Sequence, residues 1–370
     1  MNRREAERYL AALAEVRAAG GRAATATVIR VHGSAYRREG ARMLVRPDGT
    51  YVCSLSGGCL EPVVAVAAAR VIETGEPATV TYDLADDSIW SLNIGCSGAV
   101  DIRIERIEDD AVTTAWLGVL ERGEPAVLIT PLSGAVGRRV VYPSGAPVGR
   151  LANAALESRA DARARELLDG THATSRTEPV GGVELFFEVN QAAPEVFVFG
   201  AGQDAIPLAD LAWTLGFDVT VVDPRAAYLQ GDLFPHARTV LTGYDDLAGA
   251  LTLPCGAFVV VMSHHMERDR QALRFCFERD PAYIGVLGPR ARYERLLAHL
   301  KDEGCGPPPS MLDRVYSPVG LAIGAEAPEE VAMSILAEIL AIRRGFAGGF
   351  LAGETGSLHR QVAHRAGHLK

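Results

Sequence analysis

The sequence predicts an α/β chain, a doubly wound parallel sheet in the C-terminal part preceded by a mixed, β-rich α+β part. Three observations carry this reading. From about residue 196 to 341, short apolar runs alternate with amphipathic stretches, the pattern of strands joined by crossover helices. A glycine-rich turn links the first of these runs to the first of these helices. Before about residue 190 the apolar runs are broken by glycine turns instead, with one clear helix among them.

In the first part, residues 26–31, 41–45, 78–82 and 100–104 read as strands and 61–73 as a helix. Residues 41–55 and 137–151 echo one another at an offset of 96, with Arg, Val, Pro, Gly, Val and Leu recurring at six of fifteen positions. Each copy is followed by a helix and a closing strand, at 100–104 and 183–189. The expected organisation is therefore an N-terminal domain over 1–190 with an internal repeat, its two related modules at about 20–106 and 120–190. A second domain follows over 194–346, then a flexible tail over 347–370. In the second domain, residues 196–199 form a wholly apolar run, as expected of a strand buried on both faces. Helix 205–215, strand 219–222, strand 258–262, helix 267–279, strand 283–287 and helix 290–301 follow. Pro328-Glu329-Glu330 opens a last helix through 342, with proline near the first helical position and acids in the first turn.

A length of 370 residues suits two domains at roughly 150 residues each. The net charge of −9, from 37 basic and 46 acidic residues, argues against a nucleic-acid partner, which needs a positive field. Six cysteines without a C-x-x-C pair are too few for a disulfide scaffold and point to a reducing cytoplasm. The first residues, MNRREAERYL, are amphipathic and charged, unlike a signal peptide, and no apolar run nears the roughly 20 residues that cross a bilayer. No membrane partner is expected.

Four constellations carry chemistry. Gly200-Ala201-Gly202-Gln203-Asp204-Ala205 is a G-x-G-x-x-G/A fingerprint between strand and helix, which makes the second domain Rossmann-type. Gly200 makes the turn, Gly202 admits a phosphate, and Ala205 lets helix and strand pack. Asp223 lies about 20 residues on, where a carboxylate meets ribose hydroxyls, and Arg225 suits either an extra phosphate or a surface ion pair. A scaffold that holds no dinucleotide remains open, and Asp204 sits where a phosphate would arrive. Ser56-Gly57-Gly58-Cys59 places a thiol at a helix start, where the dipole favours a thiolate. Gly95-Cys96-Ser97-Gly98 places another in a tight turn, so Cys59 and Cys96 suit a soft metal, unless each merely packs a turn. His264 and His265 follow a strand of the sheet, at the end where ligands bind, with Asp269 nearby. The second copy of the repeat lacks both cysteine motifs, so its scaffold does not require them.

These residues resemble the XdhC/CoxI family. The resemblance runs through Gly33-Ser34, the GARMLV segment from Gly40, SGGCLE, Trp90 and Ile94-GCSG. It continues through VFGAG, Val222-DPR, Val261-MSHH, Tyr283-IGVLGPR and Ser317-PVGLAIGAEAPEE. It implies an accessory protein for xanthine dehydrogenase-type molybdenum hydroxylases, a chaperone more than an enzyme. Such a protein binds the molybdenum cofactor (molybdopterin) as cargo, assists its sulfuration with a cysteine desulfurase, and delivers it to the apo-hydroxylase. It also implies a homodimer. Cys59 and Cys96 match the family's cysteine positions and would contact the molybdenum or pterin. Arg42 would meet the cofactor's phosphate or form a structural ion pair. The Rossmann part would take the pterin's nucleotide extension, a free nucleotide such as NAD(P), or nothing. The alternative is an NAD(P)-dependent oxidoreductase working through that domain. Three departures stand out: Tyr36 where the family often has proline, Ser97 in GCSG, and Gln203 where the family has histidine.

Overall fold

In the computed structural model, residues 1–33, 35–83, 98–133, 137–170 and 173–353 are described. Cys96 and the tail histidines His359, His364 and His368 lie outside these residues. The chain divides into two units, Met1–Ala192 and Ala193–Lys370.

The first unit opens with a helix that the sequence shows only as an amphipathic, charged start. α1 (Arg3–Ala18) is closed at its N-terminus by a capping box, in which the Asn2 side chain accepts from the Glu5 amide and Glu5 accepts from the Asn2 amide. Then come β1 (Ala24–Gly33), β2 (Arg42–Val45), β3 (Tyr51–Val52), α2 (Glu61–Thr74), β4 (Ala78–Asp83) and β5 (Gly98–Arg106). The same succession recurs as α3 (Ala111–Arg122), β6 (Ala126–Pro131), β7 (Arg139–Val141), β8 (Val148–Gly149), α4 (Ala154–Asp169), β9 (Arg176–Val180) and β10 (Val183–Asn190). The sheets are antiparallel with orders β3-β2-β1-β5-β4 and β8-β7-β6-β10-β9, one topology used twice. The sequence echo spans the hairpins β2–β3 and β7–β8.

Strand alternation sorts the core of each module. Met43 and Val45 point with Ala26, Ile102 and Ile104 toward Val64 and Ala68 of α2, while Leu44 points the other way, onto Tyr9 and Leu13 of α1. In the second module Ile129, Val141 and Phe187 lie under Leu156 and Ala160 of α4, and Leu128 and Val140 face Trp116 and Val119 of α3. Arg42 shares the face of Leu44. It ends in a buried ion pair with Glu188 of the second module, the two side chains 6% and 8% exposed. The rings of Tyr9 and Trp116 stand 5.8 and 5.9 Å from its guanidinium carbon. Burial pushes the Glu188 carboxyl up, and the charge of Arg42 opposes that.

The second unit contains β11 (Glu195–Phe199), α5 (Ala205–Thr214), β12 (Asp218–Asp223), β13 (Arg238–Leu241), α6 (Leu247–Ala250) and β14 (Phe258–Val261). It continues with α7 (Met266–Phe277), β15 (Tyr283–Val286), α8 (Arg290–Asp302), α9 (Pro309–Leu312), β16 (Val315–Tyr316) and α10 (Pro328–Arg344). The sheet order is β13-β12-β11-β14-β15-β16, every pair parallel, with α5 and α10 on one face and α7 and α8 on the other. This is the doubly wound arrangement, whose strand order reverses between β11 and β14. The edge strands β13 and β16 escape a reading of apolar runs because β13 is largely exposed and β16 has only two residues.

Replacing Arg42 alone by Met strands a buried carboxylate and is expected to cost about 3–5 kcal/mol. The double variant Arg42→Met with Glu188→Leu should recover most of that loss. Urea unfolding of the single and double variants checks both, and a single-variant cost within error of zero would contradict the pair's burial.

Candidate functional site

The glycine pair before α2 is held from beneath by one carboxylate. Glu61, 1% exposed, accepts from the backbone N–H of Leu55 at 2.8 Å and of Ser56 at 2.7 Å through one oxygen. Its other oxygen accepts from the Ser56 hydroxyl at 2.7 Å. The Ser56 oxygen in turn accepts from the N–H groups of Gly58 at 3.3 Å and Leu60 at 3.2 Å. Burial pushes the Glu61 carboxyl up, but the Ser56 hydroxyl and the converging N–H groups outweigh it and hold the group below its ordinary range.

The second module supplies the reference state. At the same offset of 96, Glu157 accepts from the N–H of Leu151 at 3.0 Å, as Glu61 does from Leu55. There α4 already begins at Ala154, capped by Asn153 on the Leu156 amide. The equivalent residues of the first module, Gly58 to Leu60, are unwound, and α2 starts only at Glu61. Gly58 has φ +115°, a conformation other residues rarely adopt. A Cβ on Gly57 or Gly58 would meet nothing within 4 Å, so the outer side of the loop is open. Cys59 sits half-buried at the end of this loop, its sulfur 3.7 Å from the Ser56 oxygen. The N–H groups of Gly57 and Cys59 have no acceptor among the described residues. The carboxylate clamp is therefore scaffold common to both copies, and the open loop with its thiol belongs to the first copy alone.

Sequence reasoning missed Ser56 and Glu61. Carrying the echo six residues beyond Leu55 and Leu151 pairs Glu61 with Glu157, and that was the available signal. Arg42 lies on the sheet face opposite α2, so of its two readings the ion pair is the one its burial supports.

In the second unit Gly200 has φ +117°, and a Cβ there would fall 2.6 Å from Ser263 Cα and 2.7 Å from the Met262 carbonyl oxygen. Only glycine lets the turn cross the end of β14. Gly202 has open space, and Ala205 is fully buried at the start of α5. Asp223, also fully buried, accepts from the Ala201 amide at 2.9 Å, the Arg225 amide at 2.9 Å, and the Arg225 guanidinium at 2.8 Å through each oxygen. These bonds hold its carboxyl below the ordinary range against the effect of burial. The carboxylate expected at a ribose is thus committed to the turn itself. Arg225 is committed to Asp223 and lies 3.7 Å from the centre of the Tyr228 ring.

His264 adopts φ +58° and approaches Asp204, at the N-terminus of α5, with Nε2 3.0 Å from Oδ2. Asp269 is buried elsewhere, accepting from Ser263 and from Arg292 Nη1 at 2.5 Å, so it does not join the histidines. Among the described residues no group of three His, Cys, Asp or Glu is placed to hold a metal ion, and no helix is long and apolar enough to cross a membrane.

Two family models match: "XdhC and CoxI family" over residues 16–83 and "XdhC Rossmann domain" over 196–339. The chain is 34% identical over 331 residues to a probable xanthine dehydrogenase subunit of Bacillus subtilis strain 168, covering 87% of this chain and 93% of that protein. It is 23% identical over 325 residues to the molybdenum cofactor insertion chaperone PaoD of Escherichia coli K12, covering 88% and 84%. A crystal structure described as a xanthine dehydrogenase from Bacillus halodurans superposes with a TM-score of 0.75 at 29% identity, covering 91% of this chain and 96% of that one.

A carboxyl depressed in the folded state stabilises above its unfolded value and loses that contribution as pH falls through the folded value. Glu61→Gln should therefore cost about 1–3 kcal/mol at neutral pH. It should also flatten the loss of stability below roughly pH 4.3, the ordinary value of a glutamate. Urea unfolding from pH 7 down to pH 3 on both proteins measures this, and parallel acid limbs would contradict the clamp.

Proposed function

The chain belongs to the XdhC and CoxI family, and from that premise we propose that it is an accessory protein of a xanthine dehydrogenase-type molybdenum hydroxylase, holding the molybdenum cofactor as cargo at the Cys59 loop. The observation that carries this reading is the loop itself. Where the second module keeps a capped helical turn, the first exposes two glycines beside a half-buried thiol, with amides free to donate to an anionic or oxygen-rich ligand. A thiolate is a soft ligand suited to a molybdenum centre. The relative named as a cofactor insertion chaperone supports the cargo, and the one named for xanthine dehydrogenase supports the client.

In this proposal Cys59 contacts the molybdenum or the pterin, and Gly57 and Gly58 leave the ligand room against the backbone. Cys96 is the second contact. The protein acts in the cytoplasm as a homodimer. A cysteine desulfurase supplies sulfur while the cofactor is held, and the apo-hydroxylase then receives it.

Cys59→Ala should retain under a tenth of the wild-type cofactor when both are co-expressed with an intact cofactor pathway and purified anaerobically. Molybdenum analysis and the fluorescent pterin oxidation product measure the cargo, and circular dichroism shows that the fold persists. Gly58→Ala, strained at its positive φ by about 1–3 kcal/mol, should also lower retention. Unchanged pterin and molybdenum in Cys59→Ala would overturn the assignment.

A further inference from the structure

The helix after the Cys59 loop turns an apolar side to solvent, and the second module shows that the fold does not require it. At the offset that pairs Glu61 with Glu157, the buried faces of α2 and α4 coincide. Val64, Ala65, Ala68 and Val71 are buried in one, and Ala160, Asp161, Ala164 and Leu167 in the other. The same register fixes the outward positions. In α4 these carry Arg159, Arg163, Arg165 and Glu166, whereas α2 has Val63, Ala67, Ala69 and Arg70 in their places. Val66, among them, is 76% exposed. A β-branched residue within a helix loses side-chain freedom, and at this exposure it gains little burial in return. Neither helix formation nor the core selects a valine there.

Size, charge and place say what covers this face. From Pro62 to Arg70 it is about 12 Å long and about 10 Å across, far below the roughly 800 Å² that each partner contributes to a stable interface. It suits a brief contact, not a permanent subunit. Arg70 is exposed and makes no ion pair among the described residues, so it offers an unmatched positive charge at the edge of an apolar patch. The face begins three residues after Cys59, and a protein resting on it stands at the mouth of the loop.

We propose that the outer face of α2, centred on Val66 and edged by Arg70, is the surface on which the apo-hydroxylase docks to collect the cofactor. Its counterpart on that partner is an apolar patch edged by a carboxylate. The inference rests on the reading of the Cys59 loop as the cargo site, which supplies the partner's identity.

The test uses the full chain with Val66→Arg and Ala69→Arg together. Both positions are exposed, and α4 already carries arginine at the equivalent of Ala69, so circular dichroism should be unchanged. Ala162→Arg, the equivalent of Val66→Arg on α4, is the control. Molybdenum and pterin in the anaerobically purified double variant should match the wild type, because the loop is untouched. Its affinity for the purified apo-hydroxylase, read by surface plasmon resonance, should fall at least about tenfold, since two arginines would lose water against an apolar patch. Arg70→Glu should also bind more weakly, with the difference from wild type narrowing as salt is raised. Ala162→Arg should bind as the wild type does. Unchanged affinity in the double variant, an equal loss in Ala162→Arg, or a smaller oligomer by light scattering, which would place a second copy on this face, would each overturn the proposal. Weakened docking in the double variant, beside a wild type that binds the hydroxylase but carries no cofactor, would support the surface and sink the cargo reading alone.

Discussion

Arg42 and Glu188 meet across 146 residues of chain, one from each half of the repeat, where neither has solvent to fall back on. Removing two charges from water is tolerable only in the geometry that pairs them, so the pair narrows the ways in which the two sheets can face each other. The consequence runs outward through strand alternation. Once Arg42 and Leu44 face the second module and α1, Met43 and Val45 must face α2, because a slip of one residue would exchange the two sets. The helix that follows the Cys59 loop is thereby placed on the far side of the sheet from the seam.

The two copies divide what is general from what is particular. A glutamate gripping the backbone six residues earlier occurs in both, and it orders the approach to each inner helix. Beyond that grip the copies part. Asn153 closes α4 in the ordinary manner of a helix cap, whereas Ser56 spends its hydroxyl on Glu61 and on the two amides that bracket Cys59. One turn of helix has been exchanged for exposed backbone and a half-buried sulfur. That exchange gives up helical hydrogen bonds for open backbone, and the network under the loop offsets part of the loss.

The parallel sheet was legible because strands buried on both faces must be continuously apolar, as at Val196–Phe199 and Phe258–Met262. The edges were not, since an edge strand carries no such obligation. α1 has a readable cap in Asn2 and Glu5, yet its polar character hides that it packs on β2. At the site, the glycines and Cys59 announced themselves through local backbone demands. Glu61 did not, because a glutamate in a first helical turn is ordinary and its one trace in the sequence is its pairing with Glu157 when the echo is carried on. The Arg42–Glu188 pair was out of reach. It depends on two distant segments meeting, and nothing local in either segment records the other.

The saturation of Asp223 has a bearing on what the crevice can hold. Each charge-assisted bond to that carboxylate is worth about 1.5–3 kcal/mol, so a nucleotide that needed the carboxylate for its ribose would bind at least roughly tenfold more weakly for every bond it displaced. The crevice thus discriminates by incumbency: its own arginine and amide already hold the place. A ribose that required this carboxylate would first have to take it from that occupant, so the turn is built to hold itself together before it holds anything else.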